Sequence, residues 1–144
     1  MSDEEKYEWI DHPADEGFRA YGNDLNEAFE NAALALNDIM VNVGNVEGIE
    51  EIKVELEARD REALLFDWLD EFLYYYDSQG LVFSEFEVSE LEEIDQGYRL
   101  VGKARGEKFD PDKHGYGTGV KAITYHMMEI EENDVCMVQV VVDV

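Results

Sequence analysis

Apolar residues recur along this chain in two rhythms, and each change of rhythm marks an element. Tyr7–His12 alternates loosely and reads as a first strand. Pro13 interrupts it, because proline has no N–H to give to a ladder. Phe18–Gly22 resumes as a second strand. From Asp24 the period lengthens. Leu25, Ala28, Phe29, Ala32, Leu36, Ile39 and Met40 recur at three- and four-residue steps, the stripe of an amphipathic helix. Asp24 is placed to cap it, Glu27 completes a capping box, and Gly44 is the expected stop.

Period two returns over Ile49–Ala58, where Ile52, Val54, Leu56 and Ala58 face one way and Glu51, Lys53, Glu55 and Glu57 the other. Asp60 then opens a second helix ending near Gly80. Leu65, Trp68, Leu69, Phe72 and Tyr76 line one of its faces, widened by Leu64, Leu73 and Tyr75. Aromatics at helical spacing are core residues here rather than a cofactor box. Leu81 to about Ile94 and Tyr98–Arg105 form a hairpin about Asp95-Gln96-Gly97. Gly106–Gly119 is the longest irregular stretch, and loops of that length are more often functional than accidental. Lys121–Glu131 and Val135–Val144 read as the closing strands, with a turn at Glu132-Asn133-Asp134. The expected fold is α+β in a single domain over residues 1–144: two amphipathic helices packed on a predominantly antiparallel β-sheet.

Composition narrows the function. A hydrophobic fraction of 45% over 144 residues supports a real core and argues against disorder. No apolar run approaches the ~18 residues of a membrane span. The acidic, polar start Met1-Ser2-Asp3-Glu4-Glu5-Lys6 is not a signal peptide. The lone Cys136 sits in an apolar run, which suggests an inert thiol in a reduced, cytoplasmic setting. The net charge is -25, from 36 acidic and 11 basic side chains. Such a surface repels phosphate backbones, so little direct nucleic-acid binding is expected. It favours cations or a basic protein partner; solubility or adaptation to a salty cytoplasm explains it equally.

The candidate chemistry gathers at two places. Gly115-Tyr-Gly-Thr-Gly-Val-Lys121 superficially suggests a phosphate-binding loop, but it lacks the Walker spacing and leads into a strand rather than a helix. Alternation beyond it puts Lys121, Ile123 and Tyr125 on one face and Ala122, Thr124 and His126 on the other. By spacing alone these are a snorkelling surface lysine and a core tyrosine; the functional reading is an ammonium at the mouth of a site. His12, His114 and His126 show no zinc-ligand spacing, and no nucleophile elbow is present. At the other place, Asp143 stands in the apolar run Val140–Val144, one residue before the last carboxylate. A hard cation shared with Asp15 accounts for that cluster, and so does a hydrated, frayed terminus.

His12-Pro13-Ala14-Asp15, Phe18-Arg-Ala-Tyr-Gly22, Ala28-Phe-Glu-Asn-Ala-Ala-Leu-Ala35, Leu81-Val-Phe83, Gly119-Val-Lys-Ala-Ile-Thr-Tyr-His126 and Val142-Asp-Val144 resemble, in order, segments of the archease family. The resemblance covers essentially the whole chain. Pro13 departs from the family's usual threonine, and Met127-Met128 stands where a small residue often follows the histidine. The resemblance implies a non-catalytic activator of the RtcB-type RNA ligase in tRNA splicing, promoting guanylylation and multiple turnover. It also implies a divalent cation, with calcium the expected occupant, held by Asp15, Asp143 and the carboxylate of Val144. Lys121 and His12 fall in the same functional region. A chaperone or specificity modulator of a tRNA cytosine methyltransferase is the alternative the family implies.

Overall fold

The computed structural model describes residues 6–10 and 16–144. Among them, strands β1 (Tyr7–Ile10) and β2 (Glu16–Gly22) lead into helix α1 (Leu25–Met40). A 3-10 turn at Val43–Asn45 precedes strand β3 (Glu50–Ala58) and helix α2 (Arg61–Gln79). Then come the long hairpin β4 (Leu81–Ile94) and β5 (Gly97–Lys108), a single helical turn α3 (Pro111–His114), and strands β6 (Ala122–Ile123), β7 (Glu129–Glu132) and β8 (Cys136–Asp143). All pairings are antiparallel. One sheet runs β1-β2-β8-β6, with β7 also on β8; the other runs β3-β5-β4. Helix α1 packs on β2, β8 and β4, and α2 on β3, β4, β5, β6 and β7, so each helix is shared by both sheets. This is the expected α+β class.

That placement explains why α1 is more buried than its stripe predicts. Ala33, Ala35 and Asn37 join the seven expected apolar residues inside. Four fully buried alanines, at 28, 32, 33 and 35, let both sheets approach the helix backbone. Asp24 caps α1 by accepting the Glu27 N–H at 2.8 Å, and the Glu27 carboxylate reaches back to the N–H of Asn23 at 2.7 Å, one residue before the cap. Asp60 caps α2 in the same way through the Ala63 N–H. Gly80 ends α2 in the left-handed region, φ 63°, as a C-terminal glycine should. The centre of the core is Trp68. It is fully buried, donates its indole N–H to the Phe29 carbonyl at 2.9 Å, and meets Phe72 edge-on at 4.8 Å. Phe72 in turn contacts Phe83 and Phe86.

The free edge of β4 is closed by side chains of α1. Asn26 donates to the Val88 carbonyl at 3.0 Å, and Glu30 accepts the Val88 N–H at 2.8 Å. Asn37 accepts the Phe83 N–H at 3.1 Å. One helix face thus supplies hydrogen bonds that a neighbouring strand would otherwise supply, and an exposed edge is a template for unwanted pairing.

Three sequence expectations need correction. Gly44 does not stop α1; the chain leaves the helix at Val41, and Gly44 lies in the 3-10 turn. The strand Tyr98–Arg105 is longer, reaching Lys108, so much of the segment expected to be irregular is ordered. Lys121–Glu131 is not one strand. β6 and β7 lie in line on the same edge of β8, and residues 124–128 bulge out where β8 passes Val140 and Val141. Met127 takes the left-handed conformation, φ 57°, which no ladder residue adopts.

Candidate functional site

The glycine-rich stretch has a structural task. The N–H groups of Gly117 and Thr118 donate to the Met40 and Ile39 carbonyls, both at 2.8 Å, and Asn42 N–H bonds the His114 carbonyl at 2.9 Å. The Ile39 and Met40 carbonyls belong to the last turn of α1, which has no glycine cap of its own. A Cβ on Gly117 would collide with the Ile39 carbonyl oxygen, so the loop must be glycine there to come this close. The Gly117 and Thr118 amides are thus committed to the fold itself.

The loop's near end is anchored by a network that spacing did not reveal. His114 is fully buried beneath Phe109, with ring centroids 5.9 Å apart. Its Nδ1 accepts the Asp110 N–H at 3.0 Å, so the proton sits on Nε2 and is donated to Glu107 at 2.9 Å. Glu107 also takes Lys113 at 2.8 Å and the N–H of Glu47 at 2.9 Å. The Lys113 ammonium, the Glu47 amide and the His114 ring together hold the Glu107 carboxyl down at about 2.

The loop's far end delivers Lys121 to the end of β8. Its N–H donates to the Asp143 carbonyl at 2.7 Å, and Ala122 stands opposite Asp143 in the register. Both side chains are exposed, so a cation and an anion share one wet end of the sheet. Val144 packs its side chain against the core, which argues against the frayed-terminus reading. On the other side of β8, β2 begins at Glu16, paired with Val142. Asp15 and His12 lie outside the described residues. The structure therefore brings Lys121, Asp143 and Val144 together. Among the described residues no three His, Cys, Asp or Glu side chains gather as a metal cluster. Asp143 and the Val144 carboxylate are hard oxygen donors of the kind calcium takes.

Next to this end stands the bulge over residues 124–128. Thr124 pins it, donating to the Val141 carbonyl at 2.6 Å and accepting the His126 N–H at 3.2 Å. The buried Gln139 pins it again, donating to the Met127 carbonyl at 2.7 Å while accepting from Arg19 at 2.9 Å. Tyr125 is not a core residue: it stacks on Phe66 of α2 at 4.6 Å yet stays 48% exposed. Cys136 is buried, and burial pushes its thiol above the usual range, in keeping with an inert side chain. No helix among the described residues is long and apolar enough to cross a membrane.

Comparison with known proteins places this geometry. The model of the archease protein family matches residues 7–144. A Pyrococcus furiosus protein named archease is 52% identical over 126 residues, covering 88% of each chain. The archease of Methanosarcina acetivorans is 43% identical over 96% of each chain. The solution structure of a Methanobacterium thermoautotrophicum protein superposes with a TM-score of 0.83 at 44% identity, covering 96% of this chain and 99% of that one. The crystal structure of a Thermotoga maritima protein, described as an archease and possible chaperone, shares the fold at a TM-score of 0.58 and 23% identity, covering 94% of each chain. With a match running from β1 to the last residue, and with identities near one half to proteins of that name, the chain belongs to the archease family.

Proposed function

We propose that this protein is a non-catalytic cofactor of an RtcB-type RNA ligase, promoting the ligase's guanylylation and turnover in tRNA splicing. The observation that carries the reading is the exposed end of β8, where backbone pairing fixes Lys121 beside Asp143. Membership of the archease family supports it. So does the charge of -25, which suits docking against a basic protein groove better than holding RNA directly.

A divalent cation, calcium by preference, belongs to the same proposal. Asp143, the Val144 carboxylate and Asp15 would hold it, and when bound it supplies positive charge to an otherwise acidic tip. Lys121 cannot coordinate a cation, so its part is to present an ammonium beside the ligands.

The test is ligase guanylylation with and without the purified protein, and calcium calorimetry on the wild type, Asp143→Ala and Lys121→Ala. Expected are faster guanylylation with the wild type, lost calcium binding in Asp143→Ala, and impaired activation with near-normal calcium binding in Lys121→Ala. Unchanged ligase turnover, alongside stable binding to a tRNA cytosine methyltransferase, would replace this reading with the chaperone one.

A further inference from the structure

We infer that the bulge at Tyr125–Met127, with Phe66 behind it, is a docking surface for a partner protein that presents an apolar pocket rimmed by lysine and arginine. The inference rests on the proposed ligase-cofactor reading, which makes the ligase that partner.

The surface is apolar at its centre. Tyr125 is 48% and Met127 46% exposed, on either side of His126 in one short turn. Tyrosine and methionine are enriched at interface centres. The surface is also preorganised. Thr124 and Gln139 hold the bulge at both ends, the Met128 N–H closes it on the Tyr125 carbonyl at 3.1 Å, and Phe66 fixes the Tyr125 ring by stacking. A rigid aromatic loses little freedom on binding, which raises the affinity obtained per contact. Gln139, a buried polar side chain in the middle of β8, has both ends of its amide committed to this support.

The rim decides the partner's chemistry. Glu62 and Asp70 lie one helical turn either side of Phe66 on α2 and Glu129 follows the bulge, while beyond β6 Asp143 is accompanied by Lys121. The nearby Arg61 is bonded to Glu132. On the same helix, burial and then repulsion from Asp70 hold the carboxyls of Asp67 and Glu71 above their ordinary range, with Arg59 opposing at Asp67. The like charges along α2 are at a cost in the free protein that a basic rim on the partner would relieve. An RNA would meet the same repulsion, so base stacking on Tyr125 is the disfavoured use of this ring.

The experiment titrates a purified RtcB-type ligase against wild-type protein, Tyr125→Ala, Met127→Gly, Asp70→Lys and Trp9→Ala by calorimetry, with melting temperatures confirming each fold. Glycine suits the left-handed backbone at 127. Tyr125→Ala is expected to weaken binding about thirtyfold, as for a central aromatic anchor. Met127→Gly should weaken it by about tenfold, and Asp70→Lys by about fivefold with a shallower salt dependence. Trp9, equally exposed but on the far edge of the sheet, should bind as wild type when changed to alanine. Wild-type affinity in Tyr125→Ala and Met127→Gly overturns the docking surface and leaves the cofactor reading standing. Absence of wild-type binding to the ligase overturns both. Binding of a labelled tRNA half to the wild type, lost in Tyr125→Ala, overturns the surface in favour of RNA stacking. If Tyr125→Ala does not fold, Met127→Gly and Asp70→Lys decide the matter alone.

Discussion

Changing Asn37 to aspartate alters little in shape and should make the protein's stability strongly dependent on pH. Asn37 is buried in the middle of the core, donating to the Ala33 carbonyl at 3.0 Å and accepting the Phe83 N–H at 3.1 Å. An ionised aspartate keeps the second bond and turns the first into a clash of two acceptors. Burial without a paired cation raises a carboxyl pKa by about 3 units. The unfolded aspartate titrates near 3.9, so between about pH 4 and 7 the folded variant binds more protons than the unfolded one. Its stability relative to wild type therefore falls as pH rises. At 1.36 kcal/mol per unit the penalty reaches about 4 kcal/mol at pH 7 and shrinks to about 1.5 kcal/mol at pH 5, where protonation restores a donor toward Ala33. That is a large share of the ~5–15 kcal/mol that holds a domain of this kind together. Urea unfolding of wild type and Asn37→Asp at both pH values measures the difference, and working no lower than pH 5 keeps so acidic a chain soluble. Asn37→Leu is the companion: it leaves the Phe83 N–H unpaired at a cost of about 1–3 kcal/mol that does not vary with pH. Equal losses at pH 5 and pH 7 for Asn37→Asp, or a loss below about 1 kcal/mol at pH 7, would refute the bridging role.

Gly117→Ala should cost about 1–3 kcal/mol in thermal or urea unfolding, because the loop must back away and leave the Ile39 and Met40 carbonyls without their donors. Wild-type stability in that variant would show that the loop does not cap α1. The wild-type protein should melt higher on mild acidification from pH 7 toward pH 5. Glu30, Asp67 and Glu71 all have folded pKa values raised first by burial, so protons bind the folded state preferentially there. A melting temperature that falls steadily over that range would contradict this. Glu107 works in the opposite sense: its contribution is complete above about pH 4.5 and is lost as pH falls toward 2, so Glu107→Gln should flatten the acid limb of a stability profile.

The parts of this fold that could be read from the sequence are those where one local rule acts alone. Asp24 and Asp60 cap their helices, Gly80 ends α2, and the β3 alternation holds residue by residue, with Val54 buried and its neighbours Lys53 and Glu55 exposed. The misread parts are those where a distant segment intervenes. Gly44 looked like the end of α1, but the carbonyls there are satisfied by Gly117 and Thr118 from the far end of the chain. Lys121–Glu131 alternates like a strand, yet Thr124 and Gln139 hold it away from the ladder in its middle. Asn37 gave no signal, because a buried asparagine in a helix is informative only once the strand it serves is known. At the site, Asp143 stands out in the sequence as a charge in an apolar run, whereas spacing alone makes Lys121 a surface lysine and only the family resemblance gives it a functional part. Phe66, Thr124 and Gln139 do not stand out, since each has its role only through a partner far along the chain.

The order of the two sheets along the chain sets when each can form during synthesis. β3, β4 and β5 follow one another with only α2 between them, so that sheet is complete once Lys108 has left the ribosome. The other sheet waits. β8 is the neighbour of β2, β6 and β7, and it comes after all three. Until it emerges, α1 lacks one of the strands that cover it, and the two-stranded β1–β2 ribbon lacks the neighbour that completes its sheet. A nascent chain is therefore expected to carry half a folded domain and an exposed apolar helix face through the last part of its synthesis, the interval in which aggregation is most probable and chaperones are most useful.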